Sequence, residues 1–542
     1  MDQDVPVLIV GAGPVGLGFA GDLGWRGGSC LVVEQTDGSI YHPRQDLVGI
    51  RTMEFCRRWG IADDVAAAPY PRDYPQDNTY VTGLNGWELG RYPQPAMVDQ
   101  RPPPQSPQTR ERCPQNMFDP ILKKFATSFD GVELRHRTRF LGFEQDADGV
   151  TVDLEEIESG RRYQIRAQYL VGCDGANSAV REVAGIDMLG NPALTYTTNV
   201  IFRCDGFESL HDKAPGYRYI FIGPQGTWAT VVAINGRDEW RFSIIGNAVD
   251  RRELAEVEIR EFIDRAVGVP FKYEILSILP WTRRQLVAQR YQEGRVFLTG
   301  DSAHAMSPTG GFGMNTGIGD AVDLSWKISA VLNGWGGAAL LDSYNSERPP
   351  IGERNVNEAG GNLSRMLSVG DNTALLEDSE DGAKVRARVG AEISEAMLRE
   401  WNTLGIHLGY RYDDSSLLWP DGTPTPPYEV MRYAQTARPG ARAPHVWLKD
   451  GRSTLDLFGR CFTLLRLGPN APDATPIAAE AAKAALPLDV VALDESDVLA
   501  AYERRLVMVR PDGHIGWRDD DIPADPAAVL DRLRGDNKIA TT

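Results

Sequence analysis

Val5, Val7, Leu8, Ile9 and Val10 make an almost unbroken apolar, β-branched run, the pattern of a strand buried on both faces of a parallel sheet. A helix is predicted from Pro14 to about residue 27 and a second strand over 29–34, so the chain opens with a β-α-β unit. Residues 70–110 are proline-rich and irregular, and 114–129 read as a helix. Alternation over 132–172 predicts antiparallel strands that end in a buried strand at 169–173. Between 190 and 290 the pattern changes to strands with alternating aromatics, including Tyr217, Tyr219, Trp228 and Trp240, and a mixed sheet is expected. The chain then returns to the first sheet at 296–301, followed by two long helices over 316–334 and 338–367. A Pro/Asp/Gly-rich stretch at 411–443 reads as a linker. Beyond Pro444, short strands at 461–467, 488–492 and 506–509, a turn at Pro511–His514 and a last helix from Pro526 form a third unit.

The expected class is α/β, with a Rossmann-like nucleotide-binding domain, an inserted mixed β-sheet domain and a C-terminal α/β domain. The expected boundaries are 1–72, 105–186 and 287–370 for the first, 73–104 and 187–286 for the second, 371–443 for a helical or linker segment and 444–542 for the third.

The 542 residues carry a formal net charge of −18, which argues against nucleic acid or an anionic membrane as partner. No apolar run approaches the ~20 residues of a membrane span. The start Met1-Asp2-Gln3-Asp4 lacks the basic region of a secretion signal. Six cysteines without paired spacing read as reduced thiols, neither disulfides nor a metal site, and a cytoplasmic location is expected.

Three glycine-bearing segments carry the chemistry. In the first, Gly11 permits a tight turn, Gly13 lets backbone amides approach a pyrophosphate beside Pro14 and Val15, and Gly16 lets the helix pack on the sheet. Glu34, with Gln35 after it, ends the second strand where a carboxylate can bond a ribose diol. The second segment centres on Asp174-Gly175. The third joins a strand ending in Gly300-Asp301, where a carboxylate can accept from a ribityl hydroxyl, to Pro308, Gly311, Gly313, Met314 and Asn315 at a helix start. Such a start can stabilise negative charge on a flat ring.

On these residues the chain resembles the class A flavoprotein aromatic hydroxylases, the family of p-hydroxybenzoate hydroxylase. It is most similar to the longer phenol- and polyketide-type members with a thioredoxin-like C-terminal domain. Asp174-Gly175 with Ser178 and Arg181 matches the family's motif for the pyrophosphates of FAD and NAD(P)H. Arg44 matches the arginine that reaches the FAD phosphates, Gln115 a glutamine near the ribityl chain, and Ser343–Arg348 a recurring helix signature. Gln45 and Asp323 depart from the residues usual in the family and leave the glycines and Asp301 untouched.

The resemblance implies non-covalent FAD, NAD(P)H as a transient co-substrate and O2. It also implies hydroxylation of a phenolic or polycyclic aromatic through a flavin C4a-hydroperoxide. A flavin dehydrogenase or reductase without oxygen insertion, and a flavin-binding redox sensor, are the alternatives. His304, Tyr217 and Tyr219 are candidates for the reacting centre, and Arg241, Arg283 and Arg284 for a carboxylate site. Tyr219 and Trp228 are expected to wall a dry substrate cavity. With Cys461 alone in it, the C-terminal unit offers no redox pair. It reads as structural or as an oligomer contact, and a homodimer is one assembly it allows.

Overall fold

The computed structural model describes residues 4–249, 251–367 and 372–536. The opening residues 1–3, the expected boundary at 370–371 and the final residues from 537 lie outside the described residues. Among the described residues no helix is long and apolar enough to cross a membrane.

The first sheet has the order Gln292–Glu293, Val296–Leu298, Arg161–Gly172, Asp4–Val10, Cys30–Val33 and Val132–Arg135. Its central strands are parallel: Leu8 pairs with Leu31 on one side and Leu170 on the other, and Val171 with Phe297. The helices Pro14–Trp25 and Gly313–Leu332 pack together beside this sheet. The motifs at Gly11, Asp174 and Gly300 therefore meet at the carboxyl ends of adjacent parallel strands, where open α/β sheets place their ligands.

The second sheet has eight strands, in the order His304–Ala305, Glu274–Ala288, Met188–Arg203, Glu239–Ile245, Gly226–Ala233, Arg218–Gly223, Asn78–Val81 and Glu88–Tyr92. It is antiparallel except where Arg218–Gly223 runs parallel to Asn78–Val81, so the expected mixed sheet is present. Its two faces differ chemically. Tyr219, Phe221, Val231, Trp240 and Phe242 bury against the helix Glu256–Val267, with Ile259 and Ile263 opposite. Arg218, Thr230, Val232, Arg241 and Ser243 occupy the other face, which lines a cavity.

Trp228 corrects the expected aromatic wall. By alternation it shares a face with Thr230 and Val232. The register slips, however: Phe221 pairs with Ala229 and Ile222 with Thr227, so Trp228 has no partner across the ladder. This bulge turns its ring onto the helix side, against Phe221, Phe242 and Phe262 and beneath the Arg265 guanidinium. Tyr219 is fully buried on that same side, its hydroxyl accepting from the Gly216 amide.

Two helical segments differ from expectation. The helix predicted over 338–367 is three, Ala339–Asp342, Tyr344–Glu347 and Pro349–Leu367, and the second break falls where Pro349 and Pro350 cannot continue the preceding ladder. Inside the segment expected as helical or linker lies the 22-residue helix Glu380–Trp401, capped by Ser379, whose hydroxyl accepts from the Gly382 amide.

The C-terminal unit is a four-stranded sheet, in the order Leu488–Leu493, Phe462–Leu467, Leu506–Val509 and Ile515–Asp519, with helices Thr475–Lys483, Ser496–Tyr502 and Pro526–Leu533. One parallel pair followed by two antiparallel pairs is the thioredoxin-like arrangement. Charges buried out of water join this unit to the rest. Arg510 donates to both Glu347 oxygens at 2.6 and 2.9 Å, to Asp323 at 3.2 Å and to Asp512 at 2.8 Å. Lys327 completes the cluster, reaching Asp323 at 2.8 Å and Glu347 at 2.6 Å. A second cluster gathers Arg442, Arg51 and Ser106 around Glu54.

Removing one partner of a buried ionic cluster strands the others, which costs about 3–5 kcal/mol. Arg510→Met is therefore expected to lower the melting temperature and to release a C-terminal fragment in limited proteolysis. An unchanged melting curve would contradict the role given to this cluster.

Burial also sets an acid limit. It pushes His407 and His514 down from the ordinary 6.5 to about 4, so both fold neutral. The unfolded chain takes up their protons first. Stability is lost as the pH falls below 6.5, by about 3 kcal/mol per histidine at pH 4. Chemical-denaturation midpoints measured from pH 7 to 4 should fall, and His514→Gln should flatten that slope.

Candidate active site

A single cavity of about 600 Å³ runs from the first β-α-β unit to the polar face of the second sheet. At its outer end lie Gly11, Gly13, Pro14, Val15, Glu34 and Gln35, with Arg139 and Phe140 from the neighbouring hairpin. Arg44, Gln115, Asp174 and Asp301 line the middle, and Pro308 to Gly311, Gly313 and Met314 the turn beyond. The inner end is built by Asp46, Arg112, Tyr217, Arg218, Arg241, Trp281, Arg283 and Glu400.

The outer and middle residues fit a flavin dinucleotide. A side chain on Gly13 would stand in the open cavity, meeting nothing within 4 Å, whereas one on Gly16 would lie 2.0 Å from the Gly11 carbonyl oxygen. The first glycine keeps space for a phosphate, and the second lets helix and turn close up. Glu34 accepts from the Ala12 amide at 2.9 Å and from the Thr36 amide at 2.8 Å, which fixes its carboxylate at the strand end. Burial raises the Asp301 carboxyl above its usual range, against the opposing pull of His304, Arg44 and Arg284. A carboxylate open to the cavity in that position suits a hydroxyl donor. The helix Gly313–Leu332 turns its first amides, which have no partner within the helix, toward the same space. Gln115 accepts from the Arg44 amide at 3.1 Å and donates to Asp119 at 3.1 Å, so it fixes the arginine segment from below.

Five residues named from the sequence stand behind the lining. Gly16 and Gly300 pack the backbone. Asn315 accepts from the Gly49 amide and the Thr52 hydroxyl, both at 2.7 Å, and donates to the Gly311 carbonyl, clipping the helix start to the segment beneath it. Tyr219 lies in the far core. His304 is fully buried with Nε2 2.7 Å from Asp320, which also accepts from Arg348 at 2.7 Å and from the Gly300 amide at 3.1 Å. Burial would raise Asp320, but Arg348 and His304 together hold it below the usual carboxylate range. The geometry makes His304 a strut under the Gly-Asp turn. Asp174 has two roles, lining the cavity and holding Ser178 at 2.5 Å and the Val180 amide at 3.1 Å at the start of the next helix.

The inner end contains residues that sequence reasoning missed. Asp46 accepts from Arg112 and Arg241, each at 3.2 Å, and from the Tyr217 hydroxyl in a short contact. The Arg112 guanidinium lies 3.6 Å from the centre of the Tyr217 ring. Burial opposes ionisation of Asp46, yet these arginines keep its carboxyl below the usual range. Glu400, from the end of the Glu380–Trp401 helix, accepts from Arg218 at 3.0 Å and from the Gly310 amide at 3.3 Å. Asp46 stands two residues after Arg44 and was within reach of motif reading. Arg112 and Glu400 belong to segments without a motif, and only the fold brings them in.

Residues 4–359 match the family described as "FAD binding domain", and residues 436–536 the family described as "Aromatic-ring hydroxylase, C-terminal". A putative polyketide hydroxylase of Streptomyces halstedii is 35% identical, the match covering 96% of this chain and 94% of the relative. Among solved structures, RebC soaked with chromopyrrolic acid and holding 7-carboxy-K252c superposes with a TM-score of 0.91 at 37% identity, over 99% of this chain and 100% of that one. Aklavinone-11 hydroxylase with FAD and aklavinone gives a TM-score of 0.83 at 31% identity, over 99% and 100%.

Replacing Asp301 by Ala should weaken FAD binding by about ten- to a hundredfold, as loss of a charge-assisted hydrogen bond requires. His304→Gln should lower the melting temperature with a much smaller effect on affinity. Titration of the two apoproteins with FAD, followed by flavin fluorescence, checks both. Equal affinities would contradict the different places given to these side chains.

Proposed function

This chain belongs to the FAD-dependent aromatic-ring hydroxylases, and we propose that it hydroxylates a polycyclic aromatic bearing a phenolic hydroxyl, with Tyr217, held by Asp46, accepting a hydrogen bond from that hydroxyl. The observation that carries this reading is the continuity of the cavity. One space joins the nucleotide cradle at Gly13 and Asp301 to a sheet face that presents Leu279 and Trp281 beside fixed charges. The similar proteins crystallised with K252c-type ligands and aklavinone support a multi-ring substrate.

FAD, once bound, supplies reduction by NAD(P)H and activation of O2, held by Gly13, Glu34, Arg44, Gln115, Asp301 and the amides at Gly313 and Met314. The protein's part is to position and polarise. A substrate hydroxyl placed at Tyr217 donates a hydrogen bond to the Tyr217 oxygen, whose own proton is engaged by the Asp46 carboxylate. Electron density then rises on the substrate ring, where attack by an electrophilic oxygen is fastest. Burial raises the Tyr217 hydroxyl well above its ordinary value, so it stays protonated and bonded to Asp46. Arg112 and Arg241 balance the negative charge on Asp46. The six cysteines, all free, support a reducing compartment, and we place the reaction in the cytoplasm.

Incubation with a hydroxylated polyketide panel, NAD(P)H and ¹⁸O2 should give product carrying one ¹⁸O atom. Reduced or desaturated product without label would overturn the oxygenation. Tyr217→Phe should cut the hydroxylation rate by about tenfold while substrate still binds, as loss of one polarising hydrogen bond requires, and Asp46→Asn should cut it less. A fully active Tyr217→Phe enzyme would remove the role proposed for the pair.

A further inference from the structure

One buried carboxyl beside the cofactor cradle has no cation. Asp119, on the helix Gln115–Ala126, is 6% exposed. Its Oδ2 accepts from Gln115 at 3.1 Å, and Gln115 in turn accepts from the Arg44 amide, so Asp119 stands directly behind two residues of the cavity lining. Its Oδ1 is buried without a hydrogen-bond partner among the described residues. Asn116, three positions earlier and so on the same helix face, has a buried Oδ1 in the same state. Two sealed acceptors lack one donor between them.

The charges on the surrounding elements are engaged elsewhere. The Arg44 guanidinium lies over Trp281, and Asp46 takes Arg112 and Arg241. On the helix Pro14–Trp25, Asp22 binds Arg26 and Arg58. Asp63 and Asp64 of the helix Ala62–Ala66 are exposed, and Glu111 pairs with Arg72. On Asp119's own helix, Lys123 meets His136 and Lys124 is exposed. The nearby Cys113 thiol, pushed up to about 12 by burial, stays neutral. Burial pushes the Asp119 carboxyl up to about 7, with the Gln115 hydrogen bond opposing and the charge of Glu34 adding.

A carboxyl sealed without a cation keeps a proton in place of one. FAD brings the negative charge of its diphosphate to the cavity that Gln115 and Arg44 line, and negative charge nearby holds that proton more firmly. We propose that Asp119 takes up a proton as FAD enters, so that this enzyme's grip on its cofactor weakens in alkaline solution. The proton supplies the donor that the Asp119 and Asn116 oxygens lack. Below about pH 7 Asp119 is protonated with or without FAD and adds no slope; above it the free protein has lost the proton and must recover it to bind, so affinity falls. The inference rests on the reading that Gln115 and Arg44 hold the dinucleotide.

The full-chain apoprotein is titrated with FAD by calorimetry in HEPES and in Tris, whose different heats of protonation count the protons bound. At about pH 7.5 the wild type should take up about half a proton more than Asp119→Asn, which is isosteric with the protonated acid. Between about pH 6.5 and 8.5, FAD affinity read by flavin fluorescence should fall about five- to tenfold more in the wild type than in Asp119→Asn. Asp119→Leu, which leaves Gln115 without its acceptor, should bind FAD more weakly at every pH and share the flatter profile. Equal proton counts in the wild type and Asp119→Asn overturn the proposal, and so do parallel affinity profiles. Gln115→Leu separates the two readings. If it binds FAD as tightly as the wild type, the dinucleotide is held elsewhere and both fall. If its binding weakens while Asp119→Asn matches the wild-type proton count, Asp119 alone falls.

Discussion

A carboxylate sealed from water must be paired, and the pairing of Asp320 fixes the geometry on which the site depends. Its two oxygens receive the Gly300 amide, His304 and Arg348. The first donor belongs to the Gly-Asp turn and the second to the strand that joins the other sheet. The third comes from the segment after the Tyr344–Glu347 helix. Asp320 itself rides on the helix whose first turn opens on the cavity. One buried charge thus holds the turn that presents Asp301 and the helix start that presents Gly313 in a fixed relation. A change in any of the three donors would be felt at the cofactor site without touching it.

The same helix is gripped again one turn later. Asp323 and Lys327 meet Glu347 and Arg510, so the thioredoxin-like unit is bound to the back of the helix that faces the flavin cradle. This gives the Ser343–Arg348 signature a physical meaning. Arg348 secures the helix from one side, through Asp320 and the Thr316 carbonyl, and Glu347 fastens it to the C-terminal unit on the other. Asp323 is the acid that Lys327 and Arg510 require. Through these bonds the C-terminal unit braces the back of that helix.

Periodicity showed most of the architecture, because a strand buried on both faces and an alternating strand leave different patterns. The glycine motifs showed the nucleotide end of the cavity, because each marks a backbone constraint local to a few residues. At the inner end only Tyr217, Arg241 and Arg283 were legible, from strand alternation, and the rest was not for the opposite reason. Asp46, Arg112 and Glu400 come from three separate segments and converge only through the folded chain. The side chains of His304 and Asn315 turn from the cavity because a motif position states proximity, whereas the hydrogen-bond partners decide which way the side chain points. Trp228 was misplaced by one unpaired residue, since a bulge inverts every face assignment beyond it.

The two faces of the second sheet make the last step of the argument. The aromatic face has a helix to pack against and needs nothing else. The opposite face would be poor core, since it sets Thr197, Asn199, Thr230 and Ser243 beside Arg218, Arg241 and Arg283. A sheet built only for stability would bury Val or Ile at these positions. Polar alternation is kept where hydrogen bonds and charge are directed at a ligand, and ring stacking is left to Trp281. In the proposed reading, the sheet contributes charge and hydrogen bonds to substrate recognition. The aromatic richness of the domain, its most visible sequence feature, packs the sheet onto the helix Glu256–Val267 behind the site.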